Sequence, residues 1–245
     1  MSDPKPSFPF ALPLAGAAML LIGALGGWAL AGREGGGAGG DFDSRVHDYI
    51  VNHPEVLIEA ADALKSQGSE KLLATIADKL VVPYPGAVLG NPNGTVTLVE
   101  FTDFACTYCR GSVADVEALI AANPDLKVVI RELPIIAPTS PDAARWGLAA
   151  AQQGKYPAFH KAMFAAGRTD AASIAAAARA AGLDLDLAIK TIADPRVTAE
   201  IAANLDYARR LQISGTPSWV AGKRLLIGAV GREQLAAALA KARES

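Results

Sequence analysis

The feature that most constrains this chain is a pair of cysteines, Cys106 and Cys109, the only two in the sequence. Residues 95–101 alternate and are rich in β-branched side chains, which predicts a strand before the pair. After the pair, apolar residues return at helical spacing over residues 113–120. Residues 127–133 predict a second strand. The cysteines are therefore expected at the start of the helix in a βαβ unit.

This placement suits thiol–disulfide exchange, which needs an attacking thiolate and a second thiol that displaces the mixed disulfide. Residues three apart on a helix lie on one face about 5–6 Å apart, within reach of a disulfide bond. The helix N terminus stabilises a thiolate, so the pKa of Cys106 is expected below its usual value of about 8.5. Cys109 lies a turn deeper, where burial keeps it protonated until it acts as the resolving thiol. A βαβ unit with this motif predicts a thioredoxin-like redox site.

Two other uses of the cysteine pair have weaker support. A structural disulfide between Cys106 and Cys109 would close so short a loop that it removes little chain entropy. Zinc would need further ligands, and the histidines His47, His53 and His160 belong to no partner motif. We expect His160 to be a helix residue that packs beside the core. The sequence predicts redox chemistry, without a metal and without a cofactor other than the redox-active disulfide itself.

Charge and composition exclude several classes of protein. The chain has 23 Lys and Arg against 25 Asp and Glu, with no basic block that could neutralise a row of phosphates, so a nucleic-acid binder is not expected. Glycine shows no collagen repeat, and two neighbouring cysteines cannot build a disulfide scaffold. With 245 residues, 51% of them hydrophobic, the chain can bury a sizeable core.

An uncharged apolar segment at residues 6–32 indicates the compartment. Lys5 and Arg33 flank it, and about 20 helical residues would cross the ~30 Å hydrocarbon core. We expect a membrane span that anchors the chain; the alternative is a signal peptide cleaved after Ala31. Residues 32–40 are Gly-rich and predict a flexible linker. In either case, the bulk of the chain is predicted to lie outside the cytoplasm.

Residues 41–82 predict a short helical region of two or three short amphipathic helices. Their apolar side chains recur at helical spacing in two or three segments, with stripes too narrow to form a core alone. The stripes are expected to cover the main domain or another copy of the chain, so a homo-oligomer through this region stays open. Prolines, glycines and asparagines over residues 83–93 then predict a domain boundary. The predicted divisions are residues 1–40, 41–82 and 83–245.

The rest of the chain predicts a domain that contains a helical insertion. Residues 142–211 hold no strand candidate and have helical composition and spacing. Residues 215–220 and 224–227 predict a strand pair, and residues 233–242 predict a final helix. The expected fold class is α/β: a thioredoxin fold with an inserted helical subdomain at about 140–211, preceded by an N-terminal membrane segment and a short helical region.

The segment V-E-F-T-D-F-A-C-T-Y-C at residues 99–109, with G-T-P-S at residues 215–218, resembles the DsbA family of thioredoxin-fold oxidoreductases. The resemblance covers the chain from about residue 85 to the C terminus. The family's helical insertion corresponds to the helical block here, and R-E-L-P-I at residues 131–135 resembles the family's segment at the end of the second strand. The N-terminal helices resemble those of the ScsC and Com1-like branch, some of whose members oligomerise through this region.

The resemblance implies roles for individual residues. Cys106 corresponds to the nucleophile and Cys109 to the resolving cysteine. Thr216 and Pro217 match the family's cis-proline loop, which lies opposite the active site and pairs with an extended substrate strand. Glu100, six residues before the first cysteine, matches the buried acid that assists proton transfer at the resolving cysteine.

Three acidic or aromatic positions near the cysteines carry further expectations. Strand alternation places Glu100 on the same face as Val96 and Leu98, so burial is expected and would raise its pKa toward neutrality. Tyr108 is assigned to substrate binding together with the cis-proline loop. Asp103 is expected to be a solvated loop acid.

The resemblance implies an extracytoplasmic protein disulfide oxidoreductase of the bacterial periplasm, anchored to the inner membrane or soluble after signal cleavage. It would form or isomerise disulfides in unfolded or misfolded secreted proteins, and a membrane redox partner would reoxidise or reduce its dithiol. Thr107 and Tyr108 stand where the family's best-known oxidant has Pro-His, so the choice among oxidase, isomerase and reductase stays open. An alternative class is a chaperone-like or copper-handling protein that uses the cysteine pair as a ligand site.

Overall fold

The computed structural model describes residues 38–243. Within this range, no helix is long and apolar enough to cross a membrane. The predicted span at residues 6–32 and the cleavage position after Ala31 lie outside the described residues. The chain divides into two compact units, one that ends at Asp62 and one that begins at Ala63.

Nine helices and five strands form over the described residues. In chain order they are α1 (Ala38–Asn52), α2 (Glu55–Leu80), β1 (Val88–Gly90), β2 (Val96–Thr102), α3 (Thr107–Ala122), β3 (Leu126–Glu132), α4 (Ser140–Gln152), α5 (Tyr156–Ala166), α6 (Ala171–Ala180), α7 (Leu185–Ile192), α8 (Pro195–Arg210), β4 (Ser218–Ala221), β5 (Arg224–Ile227) and α9 (Gly231–Arg243). The predicted strands at residues 95–101, 127–133 and 224–227 are confirmed to within a residue at each end.

The first unit contains α1 and the beginning of α2. Pro54 directly precedes α2, where the lack of an N–H group costs no helical hydrogen bond. On α1, Phe42, Val46 and Tyr49 recur at helical spacing, and all three are exposed. This helix begins at Ala38, inside the segment predicted as a linker.

The prediction of only short helices in residues 41–82 is wrong for α2, which runs unbroken through 26 residues. Most of its residues are strong helix formers, and the single Gly68 does not interrupt them. The residues of α2 from Ala63 onward belong to the second unit, where Leu73, Ile76 and Leu80 are buried in its core. The structural division therefore precedes the boundary predicted at residue 83, because this end of α2 covers the sheet.

The second unit is built on a five-stranded sheet in the order β1-β3-β2-β4-β5. β2 and β3 are parallel and are connected by α3, which confirms the predicted βαβ unit, and the other neighbours are antiparallel. The register pairs Val96 with Leu126 and Thr102 with Glu132. Because parallel strands end at the same edge, the cysteine loop after Thr102 and the segment after Glu132 lie close together.

Successive side chains of a strand point to opposite faces of the sheet. Both faces are buried, because helices pack against each of them. One face packs against α3, α9 and the helices α4 to α7; from the two central strands it uses Leu98, Val128 and Ile130. The opposite face packs against α2 and α8; from the same strands it uses Val99, Phe101 and Val129.

The predicted helical insertion is confirmed as five helices, α4 to α8, between β3 and β4. Three of them begin at an aspartate whose carboxylate accepts a hydrogen bond from a backbone N–H of the first turn, namely Asp170, Asp184 and Asp194. Such caps satisfy N–H groups that have no partner within the helix. The aspartates therefore fix where these helices start.

The edge strand β1 lies within residues 83–93, which the sequence predicted as a boundary. Val88 pairs with Val129, and Gly90 pairs with Lys127. Gly90 has a positive φ of 74°, and a side chain there would meet the backbone oxygen of Leu126 at 2.5 Å. Three residues are too few to show alternation between prolines and glycines, which explains why the pattern missed this strand.

Arg131 joins β3 to the end of α2. Its guanidinium group is buried and donates to the backbone carbonyls of Lys79, Leu80 and Val82. It also forms an ion pair with Glu200 of α8 at 2.8 Å. The carbonyls at the end of a helix have no intrahelical partner, so this one side chain caps α2 and binds it to the sheet.

Candidate active site

The two cysteines lie where β2 ends and α3 begins. Cys106 occupies the N-cap position of α3, and its sulfur accepts a hydrogen bond from the backbone N–H of Cys109 at 3.4 Å. Both are free cysteines and both are buried. The unpaired N–H groups of the first turn favour negative charge at this position. The expected location of the pair at a helix N terminus is confirmed.

A second loop faces Cys106 across the sheet edge. The peptide bond between Thr216 and Pro217 is cis, and β4 follows it, with Ser218 paired to Phe101 of β2. The carbonyl oxygen of Thr216 lies 3.1 Å from the sulfur of Cys106 and accepts a hydrogen bond from the protonated thiol. The structure thus brings the predicted proline loop against Cys106, from 110 positions away in sequence.

The two cysteine thiols have different pKa values because their sulfurs lie in different environments. The pKa of Cys106 is lowered to about 5, chiefly because the Cys109 thiol donates to its thiolate. The Thr216 side chain and the backbone N–H groups of Cys109 and Tyr108 lower it further, while burial opposes the shift. Burial raises the pKa of Cys109 well above its usual range, and the neighbouring Cys106 and Glu100 raise it further. At neutral pH the reduced site therefore holds a thiolate at Cys106 and a thiol at Cys109.

Alkylation of the reduced protein with iodoacetamide should reveal this low pKa. We expect the rate at Cys106 to reach half its plateau near pH 5, because its pKa is lowered to about 5. At about pH 6, where an ordinary thiol is under ~1% ionised, Cys106 should react roughly 10-fold faster than free cysteine, because its larger thiolate fraction outweighs the lower nucleophilicity of a less basic thiolate. Peptide mapping of the labelled protein measures the rate, and Cys106→Ser should remove the fast reaction. A rate that reaches half its plateau only near the pKa of free cysteine would contradict the lowered pKa of Cys106.

Glu100 lies on β2 beneath the cysteines, and its side chain is buried, as strand alternation predicts. Its Oε2 atom has no hydrogen-bond partner. Burial raises its pKa to about 8, with a further rise from the charge on Cys106, while the Thr102 side chain opposes the shift. A carboxyl group of this kind exchanges its proton near neutral pH.

Asp103 is buried, and the expectation of a solvated loop acid is wrong. One carboxylate oxygen accepts from the Ala105 N–H and the Ser140 hydroxyl, and the other accepts from the N–H groups of Ile135 and Ile136. These partners come from the cysteine loop and from the segment after β3. Asp103 therefore fixes the two loops that meet at this edge of the sheet.

Three apolar or aromatic side chains are exposed on the segments that follow β2 and β3. Tyr108, which the sequence assigns to substrate binding, is 70% exposed. Ile135 and Ile136 are also exposed, although Asp103 holds their backbone. These side chains give the site an open apolar border that an unfolded polypeptide can contact.

Sequence reasoning missed a third buried acid, Glu132, at the end of β3. The hydroxyl of Tyr156 donates to its Oε1 atom at 2.7 Å, and its Oε2 atom has no partner. Burial raises its pKa well above the usual range, helped by the charges of Asp103 and Glu100. The sequence gives one indication of this acid: Glu132 lies at the end of a predicted strand that is parallel to the strand of Glu100.

The remaining site expectations concern histidine and metals. His160 is buried among the rings of Phe104, Tyr156 and Phe164, which confirms its expected place beside the core. Over the described part of the chain, no group of three or more His, Cys, Asp or Glu side chains could hold a metal ion. The chemistry available to these residues is that of two thiols and three buried carboxyl groups.

Comparison with known families gives two matches. A model described as DSBA-like thioredoxin domain matches residues 97–240, which include both cysteines and the proline loop. A model described as Copper resistance protein ScsC N-terminal domain matches residues 41–70. The two matched regions correspond to the βαβ-containing domain and to the helical region that precedes it.

Solved structures and curated proteins extend these matches. A thioredoxin-like oxidoreductase from Silicibacter pomeroyi is 42% identical, with a TM-score of 0.65, and the match covers 69% of this chain and 98% of that chain. A linker-deletion variant of ScsC from Proteus mirabilis is 27% identical, with a TM-score of 0.66, and the match covers 83% of this chain and 94% of that chain. The Na(+)/H(+) antiporter NhaA 1 of Salinispora arenicola is 32% identical over 158 residues, which is 63% of this chain. The chain spans 24% of that antiporter.

Proposed function

The chain belongs to the DSBA-like thioredoxin-domain family, and from this premise we propose that it is a thiol–disulfide oxidoreductase that forms or isomerises disulfides in secreted proteins through Cys106 and Cys109. One observation carries the proposal. The sulfur of Cys106 lies at a helix N terminus and against the Thr216 carbonyl, with a lowered pKa, while Cys109 is buried and protonated.

The proposed reaction starts from the Cys106–Cys109 disulfide. A substrate thiolate attacks the sulfur of Cys106, a mixed disulfide forms, and Cys109 leaves and takes up a proton. A second substrate thiolate then attacks the mixed disulfide, so the substrate gains a disulfide and the protein keeps two electrons as its dithiol. The low pKa of Cys106 makes it a good leaving group in this last step.

Substrate contact is proposed at the proline loop and the apolar border. The backbone of Thr216 lies directly beside the reacting sulfur, where an extended polypeptide can pair with it. Tyr108, Ile135 and Ile136 offer exposed apolar contact to residues that flank the substrate cysteine. Such contacts favour unfolded chains, whose apolar side chains are accessible.

Two assays on the purified chain test this function. The oxidised protein should introduce disulfides into a reduced, unfolded protein that has several cysteines, and mass spectrometry of the trapped products counts them. The reduced protein should convert a scrambled form of the same substrate to its native disulfides if the chain is an isomerase. Oxidation without reshuffling would assign an oxidase, and the absence of both activities would overturn the proposal.

We further propose that the protein acts in the periplasm, attached to the inner membrane through residues 6–32, with a membrane redox partner for its dithiol. A homo-oligomer through residues 41–82 is part of this proposal. The match of residues 41–70 to the ScsC N-terminal family and the exposed Phe42 and Val46 of α1 support it. The molar mass in solution, recorded with the two assays, distinguishes a monomer from an oligomer.

Copper handling is a second candidate, favoured by the description of the family that matches residues 41–70. Thiolates are soft ligands that bind Cu(I), so Cys106 and Cys109 could act as a ligand pair. Titration with Cu(I) against a competing chelator separates the functions. Binding that disappears in Cys106→Ser, in a protein that lacks exchange activity, would favour copper handling over disulfide exchange.

A further inference from the structure

Three buried polar atoms without hydrogen-bond partners belong to side chains at the ends of β2 and β3. They are Oε2 of Glu100, Oγ1 of Thr102 and Oε2 of Glu132. Buried polar groups in folded proteins are almost always hydrogen-bonded, so three neighbouring exceptions require an explanation. The reaction proposed above uses none of them.

Strand geometry places these three side chains together. Glu100 and Thr102 are two residues apart on β2 and therefore point to the same face of the sheet. Thr102 is the register partner of Glu132 on β3, and partners in neighbouring strands share a face. Leu98 and Ile130 identify that face as the one packed against α3, which also buries Cys109.

The hydroxyl of Thr102 affects the pKa values of two neighbouring groups. Its presence lowers the pKa of both Glu100 and Cys109, as a donor to either anion would. A threonine hydroxyl has one donor and two acceptor lone pairs. It can therefore accept a proton from one neighbour while it gives its own to another.

We propose, on the basis of the disulfide-exchange function above, that the Thr102 hydroxyl is a positioning group that relays a proton between the Cys109 thiol and the Glu100 carboxyl. When Cys109 resolves a mixed disulfide, its S–H proton passes to the Thr102 oxygen as the hydroxyl proton passes to the Glu100 carboxylate. The Cys109 thiolate then forms the bond to Cys106, the bond between Cys106 and the substrate sulfur breaks, and the substrate leaves as a thiolate. When the protein instead oxidises its substrate, Cys109 leaves the disulfide as a thiolate and the proton returns to it along the same path.

Glu132 completes the hydrogen bonding of this cluster. Tyr156 donates to Oε1, which leaves the proton of neutral Glu132 on Oε2, where it can donate to the second lone pair of Thr102. Gly147 of α4 makes room for this carboxyl group, since a side chain there would meet Oε1 at 2.8 Å. With this arrangement, all three unpartnered atoms have a role, and the Thr102 oxygen is held between its two partners.

Stopped-flow reaction of the reduced protein with an aromatic disulfide that releases a coloured thiolate isolates the relayed step. Attack by Cys106 gives the first burst of colour, and resolution by Cys109 gives the second. Thr102→Val keeps the shape of the side chain but removes the hydroxyl, and we expect it to slow the second phase roughly 10-fold at neutral pH while the first is unchanged. Thr102→Ser restores the hydroxyl and should restore the rate. Thr97→Val, on the same strand away from the cysteines, is the matched control.

The pH profile of the second phase adds a readout that packing does not change. Besides Thr102, the groups that face Glu100 are Cys106 and Cys109 on α3, Glu132 on β3 and Tyr156 on α5. The rate in the unmodified protein should rise through about pH 8 as Glu100 loses its proton. This rise should be lost in Thr102→Val.

Glu100→Gln separates failure of the relay from failure of the function beneath it. If this variant and Thr102→Val both slow the second phase alone, the relay is supported. If Glu100→Gln slows it and Thr102→Val does not, the acid acts without the hydroxyl and the relay is wrong. Equal slowing of both phases in Thr102→Val, or no recovery in Thr102→Ser, would also overturn it. A second phase that Glu100→Gln leaves unchanged would also overturn the relay, whereas the absence of both colour phases in the unmodified protein would overturn the exchange function itself.

Discussion

Replacement of Cys106 with serine is expected to reduce disulfide exchange to the uncatalysed rate. Cys106 holds the thiolate of the reduced site, because its pKa is lowered to about 5 while burial keeps Cys109 protonated. A serine hydroxyl is neither a comparable nucleophile nor able to form the mixed disulfide. Oxidation of a reduced, unfolded substrate protein, followed by mass spectrometry of trapped products, measures the loss.

Cys109→Ser is the matched variant, and it should behave differently. It retains Cys106, so the first attack on a substrate disulfide remains, but resolution of the mixed disulfide by the protein is lost. We therefore expect a covalent complex with substrate to accumulate, visible by mass and released by an added thiol. Turnover that persists when both cysteines are replaced would show that the dithiol is not the reactive group. Substrate binding by the unmodified protein without any exchange would favour a chaperone-like protein.

The sequence predicts the neighbourhood of the cysteines well because it is encoded locally. The alternation of β2 and β3 and the helical spacing of α3 each lie within a short segment, so the βαβ unit and the burial of Glu100 follow from pattern alone. The contact between Cys106 and Thr216 does not, since the two are 110 residues apart. It was expected only through the resemblance of residues 99–109 and 215–218 to a known family.

Buried polar side chains were the least predictable part of the site. The sequence places Asp103 in a loop and Glu132 at the end of a strand, and acidic residues at such positions are usually exposed. Their partners, Ser140 and Tyr156, lie on α4 and α5 and are seen only once the insertion has folded onto the sheet. Sequence pattern identifies which apolar residues are buried, but it does not identify polar residues that are buried by distant partners.

The second large effect is expected at Arg131, which the sequence places in a strand without indicating its role. Arg131→Met should lower the free energy of unfolding by about 3–5 kcal/mol, the usual cost of breaking a buried ion pair by removing one partner. The variant keeps most of the apolar stem but leaves Glu200 without its cation. It also leaves the carbonyls of Lys79 and Leu80 without their donor at the end of α2.

Urea unfolding of the two proteins in the same redox state measures this loss, and Arg209→Met is the control. Arg209 is exposed and pairs with Asp206 within α8, so its replacement should change stability by less than about 1 kcal/mol. Addition of Glu200→Gln to Arg131→Met should recover part of the loss, because it removes the uncompensated charge but not the unsatisfied carbonyls. A loss no larger than that of the control would show that α2 is held to the sheet by its apolar residues, Leu73, Ile76 and Leu80, without the guanidinium cap.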